Sequence, residues 1–289
     1  MTKMAKIIEI INILFVPIIS IFSLTILWSL IYLFRKIYSI EKLDLNQMEI
    51  MESVEKKYGK KYPLADDYFK IIHYPRYYSF FNQFKDYKYL IKKNFNNISS
   101  TCCFTQIKND IYYICDLKKI GLEKNQTVYF IVYGYLFLRI RKMFGIVMES
   151  NPTIKYLSEK FNFIKPFEFN LYKIKFSILK ENQQILNEIF PNFYIVEGYK
   201  KFILESNNEE LICYHIAQPI DILLVKEQKP ITFDKINDSD DIMFCIDSKS
   251  NLNQLLFRND IYFINKMSII ANKDFTKEFD FNLIKTYMI

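Results

Sequence analysis

Three observations predict an α+β fold with an N-terminal transmembrane helix and a second α+β region toward the C-terminus. Residues Ile10 to Phe34 form a run of 25 positions without a charged side chain. Between Tyr87 and Leu117, three strand-length stretches rich in β-branched and aromatic residues are separated by Asn96-Asn97 and Lys108-Asn109-Asp110. From Thr127 to Phe163 the pattern changes to helix, strand, helix. The chain has 289 residues, of which 51% are hydrophobic and 17% aromatic, with only 5 Gly and 8 Pro, so most of it can build packed cores. Disordered, collagenous and disulfide-scaffold classes are excluded by these numbers.

At about 1.5 Å per residue the apolar run would reach roughly 37 Å as a helix, more than a hydrocarbon core of about 30 Å. It continues through Trp28, Tyr32 and Phe34 into Arg35-Lys36, an interfacial aromatic and basic anchor rather than a signal-peptide cleavage site. The membrane is therefore an expected partner, through residues 10–34. Lys3 and Lys6 on one side nearly balance Arg35, Lys36 and Lys42 on the other, so charge leaves the orientation open. Five cysteines without metal-ligand spacing suit buried, reduced thiols, which places the body on the cytosolic side. The net charge of +7 is spread in short mixed clusters with no separate basic arm, and nucleic acid is not an expected partner.

Beyond the anchor, Met48, Met51, Val54 and Tyr58 recur every three or four residues, and Gly59 follows as a stop, which predicts an amphipathic helix. Tyr77, Phe81 and Phe84 mark the buried face of a second helix. The stretches from Tyr87, Thr101 and Ile111 predict an antiparallel meander. Val128, Ile131, Val132, Tyr135 and Leu136 form a helical stripe within Thr127 to Lys142. Phe144 to Met148 reads as a buried strand, Asn151-Pro152 as an N-cap followed by an N1 proline, and Ile154, Leu157 and Phe161 as the inward face of the next helix. From about Pro166 onward, strand-like runs recur at 193–204, 211–216, 220–225, 242–246, 261–270 and 282–288.

The succession Tyr113-Ile114-Cys115-Asp116-Leu117, loop Lys118 to Gln126, helix, strand Phe144 to Met148, then Asn151-Pro152-Thr153-Ile154-Lys155-Tyr156-Leu157-Ser158-Glu159-Lys160-Phe161-Asn162-Phe163 resembles the GNAT acyl-CoA N-acyltransferase core. The resemblance covers roughly residues 68–170. It implies a mixed sheet flanked by helices, in which a pantetheine lies between two splayed strands and a loop at a helix N-terminus holds the pyrophosphate of acyl-CoA. The implied organisation is an anchor at 1–40, an amphipathic linker helix at 41–65, a GNAT-like domain at 66–170 and a second α+β region at 171–289.

On that resemblance, Lys124, Asn125, Gln126, Thr127 and Val128 are the phosphate-loop candidates, and Cys115 and Leu117 flank the backbone amide that would polarise the thioester. Asn151 begins the closing helix. Lys124-Asn125-Gln126-Thr127 stands where the family has Arg-Gly-x-Gly, so a cation is kept and both glycines are replaced. Ser158 stands where many members carry the tyrosine that protonates the departing thiolate. His73 is a candidate general base, and Glu149 would face the acyl cleft. The implied activity is transfer of an acyl group from acyl-CoA to an amine. The alternative is a tethered, non-enzymatic scaffold that keeps the fold, and a third reading has the Tyr77 to Phe81 aromatics meet a bilayer.

Overall fold

The computed structural model describes residues 22–43, 48–58, 61–64, 67–73, 77, 81, 86–94, 97–108, 110–120, 126–148, 151, 153–189, 194–196, 200–204, 210–211, 214–217 and 237–273. Helix α1 (residues 22–38) leads into strand β1 (Ile40–Lys42) and helix α2 (Met48–Tyr58). Strands β2 (Lys61–Leu64) and β3 (Asp67–His73) follow, and then the meander β4 (Tyr87–Asn94), β5 (Asn97–Lys108) and β6 (Ile111–Lys119). Next come α3 (Gln126–Leu136), β7 (Lys142–Met148), α4 (Thr153–Phe161) and β8 (Phe163–Lys175). The chain continues through α5 (Phe176–Glu181), α6 (Gln183–Ile189), β9 (Tyr194–Val196), β10 (Lys200–Leu204), β11 (Glu210–Leu211), β12 (Tyr214–Ala217), β13 (Asp241–Asp247), α7 (Asn251–Arg258) and β14 (Asn265–Asn272).

Among the described residues, ten strands form one mixed sheet in the order β1-β4-β5-β6-β7-β14-β8-β13-β12-β9, and β11-β10-β3-β2 form a second. The meander is antiparallel throughout, as the alternation of its residues predicts. Between β6 and β7 the pairing is parallel, because α3 carries the chain back across the sheet before the next strand begins. Strand β14 then inserts antiparallel between β7 and β8.

The boundary at 170/171 falls inside β8, and β14 brings residues 265–272 into the middle of the main sheet. Pro166, near which the second region is expected to begin, lies within β8 where the register against β14 shifts between Ile269 and Ala271. A bulge tolerates the missing amide there. Runs 220–225 and 282–288 lie outside the described residues.

One apolar cluster, including Met51, Phe69, Tyr77, Phe81, Tyr89 and Met267, covers one face of the sheet. A second, including Phe104, Phe130, Met143, Leu157 and Phe163, lies under α3 and α4. Cys102 and Cys103 point into different clusters, as neighbours on a strand must. Helix α3 approaches the sheet closely: a Cβ on its Gly134 would come within 3.1 Å of the fully buried Phe104 ring.

Several sequence expectations are corrected. The segment 41–65 is no linker: β1 joins the main sheet, and α2 buries Met51 and Glu55 against the core. The expected helix from Thr127 to Lys142 ends at Leu136, Arg139 takes a left-handed φ of 55°, and Lys142 already begins β7. Tyr77 and Phe81 are fully buried, so they do not meet a bilayer. Of the expected span, residues 22–34 lie in α1 and 10–21 lie outside the described residues. Among the described residues, no helix is long and apolar enough to cross a membrane.

Asn272 ties the inserted strand to its neighbours. Its Oδ1 accepts from the Met143 amide at 2.8 Å, and its Nδ2 donates to the Tyr135 hydroxyl at 2.9 Å. Asn272→Leu leaves that buried amide without an acceptor and is expected to cost about 1–3 kcal/mol, read as a lowered urea midpoint at unchanged slope.

Candidate functional site

The parallel ladder between β6 and β7 runs only from Ile111 opposite Lys142 to Ile114 opposite Gly145. Beyond it the strands diverge, and the gap is a cavity of about 460 Å³ lined by residues including Cys115, Leu117, Ile146 and Met148. That volume falls in the usual range for small-molecule sites. Divergence starts after Ile114, before Cys115 and Leu117 are reached. Tyr113, Met148 and Met267 line the gap from one core cluster, and Phe130, Leu157 and Ile270 from the other, so the cavity passes through the sheet.

A bulge on β6 shapes the rim. Thr101 pairs with Lys118 and Cys103 with Cys115, so one residue of β5 faces two of β6, Asp116 and Leu117. Asp116 has a left-handed φ of 51°, a conformation that aspartate tolerates better than most residues, and its carbonyl accepts from Thr101 Oγ1 at 3.0 Å. The extra residue places Asp116 and Lys118 on the same side as Cys115, while Leu117 packs into the opposite cluster.

A buried charge network fills that side. Lys118 Nζ lies 2.6 Å from Glu55 Oε1 and 2.6 Å from Asp116 Oδ1. The Tyr77 and Tyr89 hydroxyls both donate to Asp116 Oδ2. Glu55 also accepts from the His73 amide at 2.7 Å, and its Oε1 lies 2.6 Å from His73 Nδ1. An ionised carboxylate can only accept, so that ring nitrogen carries the proton.

Burial pushes the Glu55 carboxyl up, but His73 and Lys118 outweigh it and hold the group at about 2. Burial likewise raises Asp116, and Lys118 followed by His73 brings it below the usual carboxylate range. Desolvation lowers Lys118, yet the two carboxylates leave it more basic than an ordinary lysine. Burial first and the Asp116 charge second push the Tyr77 and Tyr89 phenols far up, so both stay neutral donors. Glu55, His73 and Asp116 could together ligate a metal ion, but the Lys118 ammonium already supplies the cation between the carboxylates.

At the first turn of α3, Gln126 is buried at 5% exposure and lines the cavity, and neither its Oε1 nor its Nε2 has a hydrogen-bond partner. Helix starts also leave amides unpaired. Thr127 and Asn151 line the same cavity. The unpartnered Gln126 amide therefore sits beside these two residues where α3 meets the open end of the gap.

The structure brings Cys115, Leu117, Gln126, Thr127 and Asn151 to one cavity. Val128 is half-buried on α3, next in sequence to the lining residues. His73 is instead held in the charge network, its ring packed on Tyr77 and Phe81 at centroid distances of 5.0 and 5.4 Å. Ser158 is exposed on α4, whereas its neighbour Leu157 lines the cavity. Lys124, Asn125 and Glu149 lie outside the described residues. Sequence reasoning missed Glu55, Asp116 and Lys118. Glu55 offered a signal, since it lies four residues after Met51 on the apolar stripe of α2.

An antiparallel meander whose third strand has a parallel, splaying neighbour matches the mixed sheet and splayed strands that the sequence resemblance implies, and the inserted β14 goes beyond that expectation. On these grounds the sheet topology is GNAT-like. Similar solved structures include a spermidine N-acetyltransferase from Vibrio cholerae, at 11% identity and TM-score 0.33, covering 44% of this chain and 78% of that one. The ribosomal-protein-S18-alanine N-acetyltransferase from Escherichia coli is 11% identical with TM-score 0.34, covering 68% and 97%. A tandem GNAT protein from the clavulanic acid biosynthesis pathway is 5% identical with TM-score 0.37, covering 64% and 82%. No family model and no curated protein matches the chain.

The charge network has a defined pH signature. Because the folded state lowers Glu55 from 4.5 to about 2, its contribution, on the order of 3 kcal/mol, is fully present above pH 4.5 and lost as pH falls toward 2. Thermal melts across that window should show the loss in wild type and a flatter profile in Glu55→Gln. Glu55→Ala, which leaves Lys118 with one carboxylate, is expected to cost about 3–5 kcal/mol at pH 7.

Proposed function

We propose that the chain is an N-acyltransferase that takes its acyl group from acyl-CoA and passes it to an amine. The observation that carries this reading is the open gap between β6 and β7, with the unpartnered polar side chain of Gln126 at its helix-lined end. A scaffold that had lost its ligand would have no reason to keep a 460 Å³ space between adjacent strands, where filling it would gain packing energy.

The residues present fit the cofactor. Gln126 can both donate to and accept from an amide or phosphate, and the start of α3 is electropositive. Thr127 and Asn151 add hydroxyl and amide groups at the same end. Deeper in the gap, Ile114, Ile146 and Leu157 provide apolar walls for an extended arm. When bound, acyl-CoA would supply an activated thioester.

The chain's own part is positioning and electrostatics. The bulge at Asp116 and Leu117 withdraws backbone groups from the β5 ladder at the rim, where an amide can face a developing oxyanion. Asp116 itself is pinned by Lys118 and two tyrosines, so it acts as a fixed charge and not as a proton carrier. The same network fixes the strand end that carries the bulge.

Calorimetry with acetyl-CoA tests this reading. Saturable binding at high micromolar cofactor is expected for the folded wild-type chain. Ile146→Trp should abolish binding without lowering the melting temperature by more than a few degrees, and Gln126→Ala should weaken it about tenfold. Folded wild-type protein that gives no heat would overturn the proposal and leave the scaffold reading.

A further inference from the structure

Every residue of α1 from Phe22 to Tyr32 is exposed, and the run is apolar around the whole helix, with Trp28 at 72% exposure and Phe22 at 67%. A helix that is apolar all round needs a protein core or a lipid phase, and among the described residues no element covers it. The twelve residues before it, Ile10 to Ile21, continue the same uncharged sequence. The helix joins the body at its C-terminal end, where Leu33 packs beside the α3 cluster and Ile37 is buried.

A second exposed apolar patch lies at that junction. Leu136 and Phe137 project from the end of α3, and the Phe137 ring meets Tyr38 edge-on at 5.9 Å and stacks on Tyr133 at 5.0 Å. Arg35, Arg139 and Arg141 are exposed near the same ends of α1 and α3. The Arg141 guanidinium lies over Tyr135 and the Lys36 ammonium over Tyr32. An apolar helix, then aromatic rings, then cations follow the layers of a bilayer surface: acyl chains, interface and anionic headgroups.

We propose that residues 136–141 dock together with α1 on an anionic phospholipid bilayer, so that the body lies against the headgroups. The orientation of the cavity follows from the topology. Lys142 begins β7 at the paired end of the gap, directly after the docking turn, and α3 places Gln126 about 16 Å away along its axis. The open end of the gap therefore points from the lipid toward water. This inference does not depend on the acyl-transfer reading.

Site-directed fluorescence on the full chain tests it, since Trp28 is the single tryptophan. A Trp28→Phe/Phe137→Trp variant would be bound to phosphatidylcholine vesicles with and without phosphatidylglycerol, each carrying lipid with a doxyl group near the headgroup. The F137W emission is expected to shift to the blue and lose at least half its intensity on the anionic vesicles, and less on the neutral ones. A Trp28→Phe/Phe257→Trp control, on exposed α7, should stay unquenched. Adding Arg139→Glu and Arg141→Glu should cut F137W quenching at least twofold, while Trp28 in the otherwise native charge-reversed chain remains quenched. Water-like, unquenched F137W emission from vesicle-bound protein would overturn the proposal. So would equal quenching of F137W and F257W, or insensitivity to the charge reversal.

Discussion

Two parallel strands that share hydrogen bonds over four residues and then part company set the terms for the rest of this molecule. Backbone groups that leave a ladder need other partners, and parted strands must be held open against the gain from closing. Helix α3 connects them and presses Phe130 and Ile131 between the sheet and its own axis. On the outer side of β7, β14 supplies a full antiparallel partner, so the strand remains in the sheet although it has left β6. The bulge on β6 turns its rim residues out of the pairing with β5. Each device acts on the same few residues around Ile114 and Gly145.

The charge network belongs to the same constraint. A left-handed aspartate in a strand is costly unless its surroundings define it. Here two tyrosine hydroxyls and a lysine do so, and the lysine is tied through Glu55 to α2 and to His73 of the second sheet. Buried ion pairs are weak contributors to net stability, but removing one partner is expensive. Such a network is suited to specifying one conformation at the cleft rim, which is the kind of accuracy a positioning site needs.

Much of the fold was legible in the sequence because its signals are local. The meander from Tyr87 to Leu117 shows a period of two and polar breaks, and α3, β7 and α4 follow with clear changes of period. The cavity-lining residues Cys115, Leu117, Gln126, Thr127 and Asn151 were reached through the resemblance that this succession carries. Elsewhere local signals misled: a second region was expected from about Pro166, but a bulge absorbs that proline inside a thirteen-residue strand. Ser158 and His73 took positions from a family pattern, and packing placed one in solvent and the other against Glu55.

The sequence alone determined the order of elements from β4 to α4, the apolar character of residues 10–34 and the polar run that opens α3, since periodicity and capping act over a few neighbours. Tertiary structure alone decided that β14 enters the middle of the sheet, that the gap starts at Ile114, and that Glu55, His73, Asp116 and Lys118 meet. Glu55 and Lys118 are 63 residues apart in the chain. Their contact depends on how α2 packs on the sheet and on which side a single bulged residue turns, and no local pattern encodes either.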